Sequence, residues 1–156
     1  MGAMPYLIDG HNLIPKLGLR LDSPDDEMQL IGILQEFCRL ERRKAEVYFD
    51  GAPVGQAGTK NFGTVTVHFV RAGMTADLAI KGRLENMGRA ARNWTVVSSD
   101  HAVQDSARAA NADAIPSEKF SNLLRRSSSL KSKSDQESKP SAEEVEEWLR
   151  LFKRRE

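Results

Sequence analysis

Short apolar runs alternate along the chain with segments whose apolar residues recur at helical spacing, the pattern of a parallel sheet with crossover helices. The first run, Tyr6-Leu7-Ile8, stops at Asp9-Gly10. Ser23-Pro24-Asp25-Asp26-Glu27 then supplies an N-cap, a proline for the first helical position and acids for the first turn. The spacing of Leu30, Ile31, Leu34, Phe37, Cys38 and Leu40 predicts a long helix behind that start, closed by basic residues up to Lys44. Val47-Tyr48-Phe49 predicts a second strand ending at Asp50-Gly51, and residues 52 to 64, with Gly55, Gly58 and Gly63, read as a flexible loop. Val65, Val67, Phe69 and Val70 predict a third strand. Thr75 then caps a helix that ends near Gly88, and Trp94-Thr95-Val96-Val97 predicts a fourth strand running into Ser98-Ser99-Asp100. A helix over 101–110, an edge strand at Asp113-Ala114-Ile115 and a short helix over 117–124 complete the body.

Past residue 124 the composition shifts to Ser, Lys and single acids, so 125–140 reads as a polar linker. Over 141–156, Ser141 and Glu144 form a capping box, and Val145, Trp148, Leu149 and Phe152 make one apolar stripe, which predicts an amphipathic helix that packs on the body or docks on a partner. Met1-Gly2-Ala3 ahead of Met4 reads as a cloning scar, which leaves one domain over 4–124.

Composition narrows the classes. A chain of 156 residues with 40% hydrophobic residues can bury a core without disulfides or a structural metal, and Cys38, the single cysteine, excludes a disulfide framework and a cysteine zinc site. No apolar stretch approaches the ~20 residues that span a bilayer, so membrane readings drop out and a reducing cytoplasm fits best. With 23 Lys plus Arg against 22 Asp plus Glu there is no uniformly basic coat. Two local groups, Arg39, Arg42, Arg43, Lys44 and Lys81, Arg83, Arg89, Arg92, are either solvated helix faces or phosphate-binding patches.

The chemistry lies in where the aspartates fall. Asp9, Asp50 and Asp100 each end a predicted strand, and Asp77 sits in the first turn of the helix after the third strand. In an open parallel sheet the carboxyl ends of the strands form the ligand-binding edge, so the four carboxylates are expected to converge there. Each alone also reads as a turn former or an N-cap. Together they repel and raise one another's proton affinity unless a divalent cation compensates. Oxygen-only ligands select a hard ion, Mg²⁺ or Mn²⁺, which suits phosphodiester hydrolysis by polarising the phosphoryl group and activating water.

Ile8-Asp9-Gly10-His11-Asn12, Tyr48-Phe49-Asp50-Gly51, Thr75-Ala76-Asp77 and Ser98-Ser99-Asp100 together resemble the NYN domains of the PIN-like nuclease superfamily, most closely the YacP-like NYN family, over about residues 5–124. The resemblance implies a three-layer α/β/α fold with a mainly parallel sheet and a metal-dependent endoribonuclease acting on RNA, with Asp9, Asp50, Asp77 and Asp100 at the site. On that pattern Asp9 and Asp100 ligate the metal, and Asp77 holds a second ion or orients the attacking water. Asn12 bonds a carboxylate or the scissile phosphate, or stabilises its loop; Ser98 and Ser99 donate to Asp9 or to phosphate; Asp50 shares the site or shapes the glycine-rich loop after it. Leu78 stands where many relatives carry a second acid.

His101 reads as a solvated neighbour of a cap, and His68 as facing away from Val67 and Phe69. Haloacid-dehalogenase chemistry would need an acid at His11, and neither a Gly-x-Gly-x-x-Gly nor a P-loop pattern is present. The competing reading is a non-catalytic RNA-binding or assembly module, in which basic helix faces, the Lys60-Asn61-Phe62 segment and the Trp148 helix bind RNA and a ribosome or another ribonucleoprotein. Four retained acids facing phosphate weigh against it.

Overall fold

The computed structural model describes residues 4–19, 24–53 and 55–134 of the chain. The expected cap Ser23, the later part of the expected linker and the expected helix over 141–156 lie outside them. Strand β1 (Tyr6–Asp9) is buried along its whole length. It lies between β2 (Ala45–Ala52) and β5 (Thr95–Val97), parallel to both. Beyond β2 runs β4 (Val65–Arg71), beyond β5 runs β6 (Asp113–Ile115), again parallel, and β3 (Gly58–Phe62) closes one edge antiparallel to β4. The order is β3-β4-β2-β1-β5-β6. The helices are the single turn α1 (Gly10–Leu13), then α2 (Pro24–Glu41), α3 (Ala76–Met87), α4 (His101–Ala109) and α5 (Ser117–Ser134).

Alternation along the strands sorts side chains onto two faces. Ile8, Val47, Phe49 and Val67 pack with Leu30, Leu34 and Phe37 of α2 and Phe120 of α5, while Leu7, Tyr48, Val70 and Val96 pack with Ile80 and Leu84 of α3 and Val103 and Ala107 of α4. The result is the three-layer α/β/α fold that the resemblance implies, built on the parallel sheet that the sequence pattern predicts. Cys38 is buried in the first core, where burial pushes its thiol up to about 11. On the second face His68 stacks on Tyr48, with ring centroids 4.5 Å apart, and joins Arg83 in donating to Glu46. Burial alone would raise Glu46, but these donors outweigh it and hold the carboxyl at about 2, a charged anchor tying β2, β4 and α3 together.

Two elements differ from the expectation. Residues 52 to 64 are not all loop, because β3 forms a full ladder with β4, from Gly58 opposite Phe69 to Phe62 opposite Val65. Every residue of β3 except Phe62 is exposed, so backbone hydrogen bonds rather than an apolar alternation hold it in place. The last helix continues to Ser134, through residues whose composition reads as linker from 125. Its buried stripe is Ser117, Phe120, Ser121, Leu124 and Ser127, a helical spacing in which serines occupy inward positions.

The chain moves outward from β1 to β2 and β4, then returns through α3 to β5 on the other side of β1 and continues to β6. Connections leaving β1 and β5 therefore diverge, and a crevice opens between the carboxyl ends of these two strands. Gly10 makes the turn out of β1 possible through close approach. A Cβ there would clash with the Phe49 ring and meet the Tyr48 carbonyl oxygen at 2.9 Å. Gly10→Ala is accordingly expected to destabilise the fold by about 1–3 kcal/mol through displacement of Phe49; urea unfolding measures this, and an unchanged midpoint would contradict the packing described.

Candidate active site at the β1–β5 crevice

Asp9, the last residue of β1, is only 9% exposed and lies at the carboxyl end of the sheet where the connections of β1 and β5 diverge. The fully buried Ser98, just after β5, donates its hydroxyl to Asp9 Oδ2 at 3.1 Å and accepts from the Asp100 backbone N–H at 3.1 Å. One hydroxyl thus ties the ends of neighbouring strands. Asp100 stands exposed at the start of α4, where its Oδ1 accepts from the Ala102 N–H at 2.8 Å as an N-cap. Burial raises the Asp9 carboxyl from its usual value of 3.8 to about 6; the Ser98 hydrogen bond opposes this, and the charges of Asp50 and Asp100 add to it.

Asp50 reaches the same edge from β2, whose register with β4 shifts between Phe49 and Ala52, with Gly51 at φ +77. Only glycine adopts that backbone without strain. The Asp50 Oδ1 takes a hydrogen bond from His11 Nδ1 at 2.8 Å, and its Oδ2 accepts from the Ala76 N–H at the head of α3 at 3.4 Å. The other ring nitrogen of His11 bonds Glu27 Oε2, in the first turn of α2, at 2.6 Å. The Glu27 bond raises the His11 pKa, burial opposes it, and Asp50 reinforces it; with a carboxylate oxygen facing each ring nitrogen, the geometry suits the imidazolium form. Asp77 follows Ala76 and is half-buried; its carboxylate makes no hydrogen bond or ion pair among the described residues.

The amide of Asn12 is committed to the scaffold, its Oδ1 accepting from the Ser99 N–H at 2.8 Å and from the Ser117 hydroxyl at 2.6 Å. The Ser99 hydroxyl in turn accepts from the Ser117 N–H at 3.0 Å. These two residues lock the β5 exit to the head of α5 and do not touch Asp9 through their side chains, whereas Ser98 does. Sequence reasoning missed Ser117, which carries no local signal, and the pairing of His11 with Glu27, which read as an acid of the helix's first turn. His101 is exposed at the α4 start, and His68 faces the second core.

Beside Asp50 an open cleft of about 590 Å³ runs between the end of β2 and β3, with His11, Glu27, Lys60 and Phe69 among its walls. A separate depression of about 400 Å³ lies between the far ends of α3 and α4, lined by Lys81, Arg89 and Arg92, while Arg83 is spent on Glu46 and stacks over Trp94. In the other basic group Arg39 pairs with Glu36, and Arg43 bonds the Met4 carbonyl.

Among the described residues no three His, Cys, Asp or Glu side chains are grouped so as to hold a metal ion. The donor chemistry nevertheless fits a hard divalent cation. Mg²⁺ is commonly held by one or two carboxylates with waters and substrate phosphate completing its shell. Asp9, whose proton affinity is raised by burial and by two neighbouring carboxylates, and Asp100, with one oxygen left uncommitted by its cap, are the pair that would hold it.

Because the folded-state pKa of Asp9 lies above its unfolded value, the group lowers stability when ionised: the penalty is complete above about pH 6, shrinks as pH falls towards 3.8 and is gone below it. Asp9→Asn keeps an acceptor for Ser98 and removes the buried charge. In chelator at pH 7.5 it is expected to stabilise the protein by about 2–3 kcal/mol, with the gain vanishing near pH 4. Denaturant titrations at the two pH values measure this, and equal effects at both would contradict the electrostatics described.

A model of the YacP-like NYN domain matches residues 6–153. Among solved structures the chain is similar to a W164L mutant of Rae1 (YacP) from Bacillus subtilis, with TM-score 0.72, 20% identity, and coverage of 96% of this chain and 91% of that one. It is also similar to a further crystal structure of Rae1 (YacP) from Bacillus subtilis, with TM-score 0.65, 21% identity, and coverage of 98% and 93%. At these identities the likeness is one of fold. Among curated proteins none matches. No helix of the described residues is long and apolar enough to cross a membrane. With the family model spanning nearly the whole chain, and the strand-end aspartates in place on a six-stranded, mostly parallel sheet, the protein belongs to the YacP-like NYN domain family of nuclease-like, RNA-acting domains.

Proposed function

We propose that the protein is a Mg²⁺- or Mn²⁺-dependent endoribonuclease that hydrolyses RNA phosphodiester bonds at the β1–β5 crevice, working in the cytoplasm on free or ribosome-bound RNA. The observation that carries this reading is the linkage of Asp9 and Asp100 through one buried hydroxyl, with Asp50 close enough to raise the proton affinity of Asp9. Such a cluster costs stability in the absence of a compensating cation, and a purely structural turn would not need it.

A divalent ion bound there supplies Lewis-acid polarisation of the phosphoryl group and a water of lowered pKa. The chain's own part is to hold and to orient. Asp9 and Asp100 are the proposed ligands, and Ser98 fixes the Asp9 carboxylate through Oδ2. The proposed role of Asp77, in the first turn of α3, is to accept a proton from the attacking water or to hold a second ion. His11 and the α3 N-terminus both engage Asp50, and its proposed role is to fix the mouth of the site. Asn12 and Ser99 keep the β5 exit in register behind the reacting groups.

Asp100→Asn tests the reading without loss of fold, because asparagine caps a helix about as well as aspartate. With labelled single-stranded RNA and Mg²⁺ or Mn²⁺, the unaltered protein is expected to cut, chelator to stop it, and the variant to be at least about a hundredfold slower, as befits loss of a metal ligand. Ser98→Ala, which removes the hydroxyl that orients Asp9 and receives the Asp100 N–H, is expected to cost about 10- to 100-fold. RNA left intact, free and on ribosomes, yet still bound would replace hydrolysis with the binding-module reading.

A further inference from the structure

The cleft between the end of β2 and the β3–β4 hairpin adjoins Asp50 but takes no part in the chemistry above. Its volume, about 590 Å³, lies within the ~300–1,000 Å³ range of small-ligand sites. Its walls are of three kinds. His11, Asp50 and Glu27 form the end nearest the site, where two carboxylates already neutralise the imidazolium. Phe69 supplies a partly exposed aromatic ring, braced from behind by Phe49 at a centroid distance of 5.9 Å. Lys60, on the exposed edge strand β3, lays its ammonium 5.6 Å from the centre of the Phe69 ring.

This combination selects among ligands. A bare phosphate beside Glu27 and Asp50 would meet net negative charge, whereas an uncharged, flat group can lie against Phe69. An exposed cation–π contact is weaker than stacking of a nucleobase on an aromatic ring, so a base can displace the Lys60 ammonium, which then lies at the rim where a flanking phosphate passes. Resting on the endoribonuclease reading for the identity of the polymer, we propose that this cleft is a base-binding subsite: it takes one unpaired nucleobase of single-stranded RNA next to the scissile phosphate, with Phe69 as its stacking platform and Lys60 as its backbone contact. A base held in a duplex cannot reach the ring, so the subsite also selects unpaired over paired RNA at the cleavage position.

The test uses the full chain carrying Asp100→Asn, with Mg²⁺ present so that the strand stays uncut. Binding is measured to a short single-stranded RNA and to a strand of the same length with abasic residues in its centre. The intact strand is expected to bind about tenfold more tightly, and Phe69→Leu, which keeps apolar bulk on the core but loses the ring face, to erase the difference while leaving abasic affinity in place. Lys60→Gln is expected to weaken both strands alike and to make the salt dependence shallower by about one ion. Equal preference for the intact strand with Phe and with Leu at position 69 overturns the subsite.

As a check needing no core substitution, a single 2-aminopurine flanked by abasic residues is expected to lose fluorescence on binding the protein with Phe69 in place; unchanged fluorescence overturns the proposal as well. Its failure is separable from failure of the catalytic reading. Ring-dependent base preference in a protein that never cuts RNA leaves the subsite standing and removes hydrolysis. Normal cutting with a preference indifferent to Phe69 does the reverse.

Discussion

Asp9 is a carboxylate buried at the end of the central strand, and much of the molecule is arranged around the cost of keeping it there. Ser98 meets it with a hydroxyl, and burial, reinforced by the like charges of Asp50 and Asp100, pushes its carboxyl to about 6. A protein selected for stability alone would place an asparagine or an apolar residue at this position. The surrounding construction is rigid. Gly10 lets the chain turn against Phe49, Asn12 and Ser99 bind the β5 exit to Ser117, and the cation His11 ties α2 to β2. The strain is thereby confined to a small group of oxygen atoms in the crevice between two diverging connections.

Charge is distributed with the same economy. His11 offsets part of the charge of Glu27 and Asp50, while Asp9, Asp77 and Asp100 pair with no basic side chain among the described residues. The hairpin beside them brings an apolar ring and an ammonium to the flank of the site, where the acids leave off. On the opposite face, Glu46, His68 and Arg83 form a separate satisfied network that anchors α3 and hence the position of its first turn.

The strands and most helices were legible because their signals are local. Apolar runs such as Tyr6-Leu7-Ile8 and Val47-Tyr48-Phe49 end in Asp-Gly, and Thr75 caps α3 through the Leu78 N–H as its position suggests. Since alternation fixes a parallel sheet and a parallel sheet fixes its functional edge, the ends of β1, β2 and β5 could be assigned to one side from sequence. Features that depend on distant partners were hidden. β3 has a single partly buried apolar residue, so nothing in Gly58-Thr59-Lys60-Asn61-Phe62 distinguishes a backbone-paired edge strand from loop. The continuation of α5 is masked by serines at its buried positions, whose hydroxyls bond within the fold, as Ser121 does to the Glu118 carbonyl. The bond between His11 and Glu27 joins residues sixteen positions apart, through a connection with no motif. The split use of Ser98 and Ser99, one spent on Asp9 and the other on the Ser117 N–H, depends on tertiary geometry that two neighbouring polar residues in a sequence do not encode.

The claim that everything else serves is that Asp9 and Asp100 await a divalent cation. The most direct measurement is calorimetric titration of Mn²⁺ into the unaltered protein at pH 6, in two buffers of different ionisation enthalpy. With the Asp9 carboxyl near half-protonated at that pH, the account predicts one ion bound with release of about half a proton, and loss of the release on Asp9→Asn. Binding that releases no proton, or that is unchanged in both the Asp9→Asn and Asp100→Asn proteins, would contradict it.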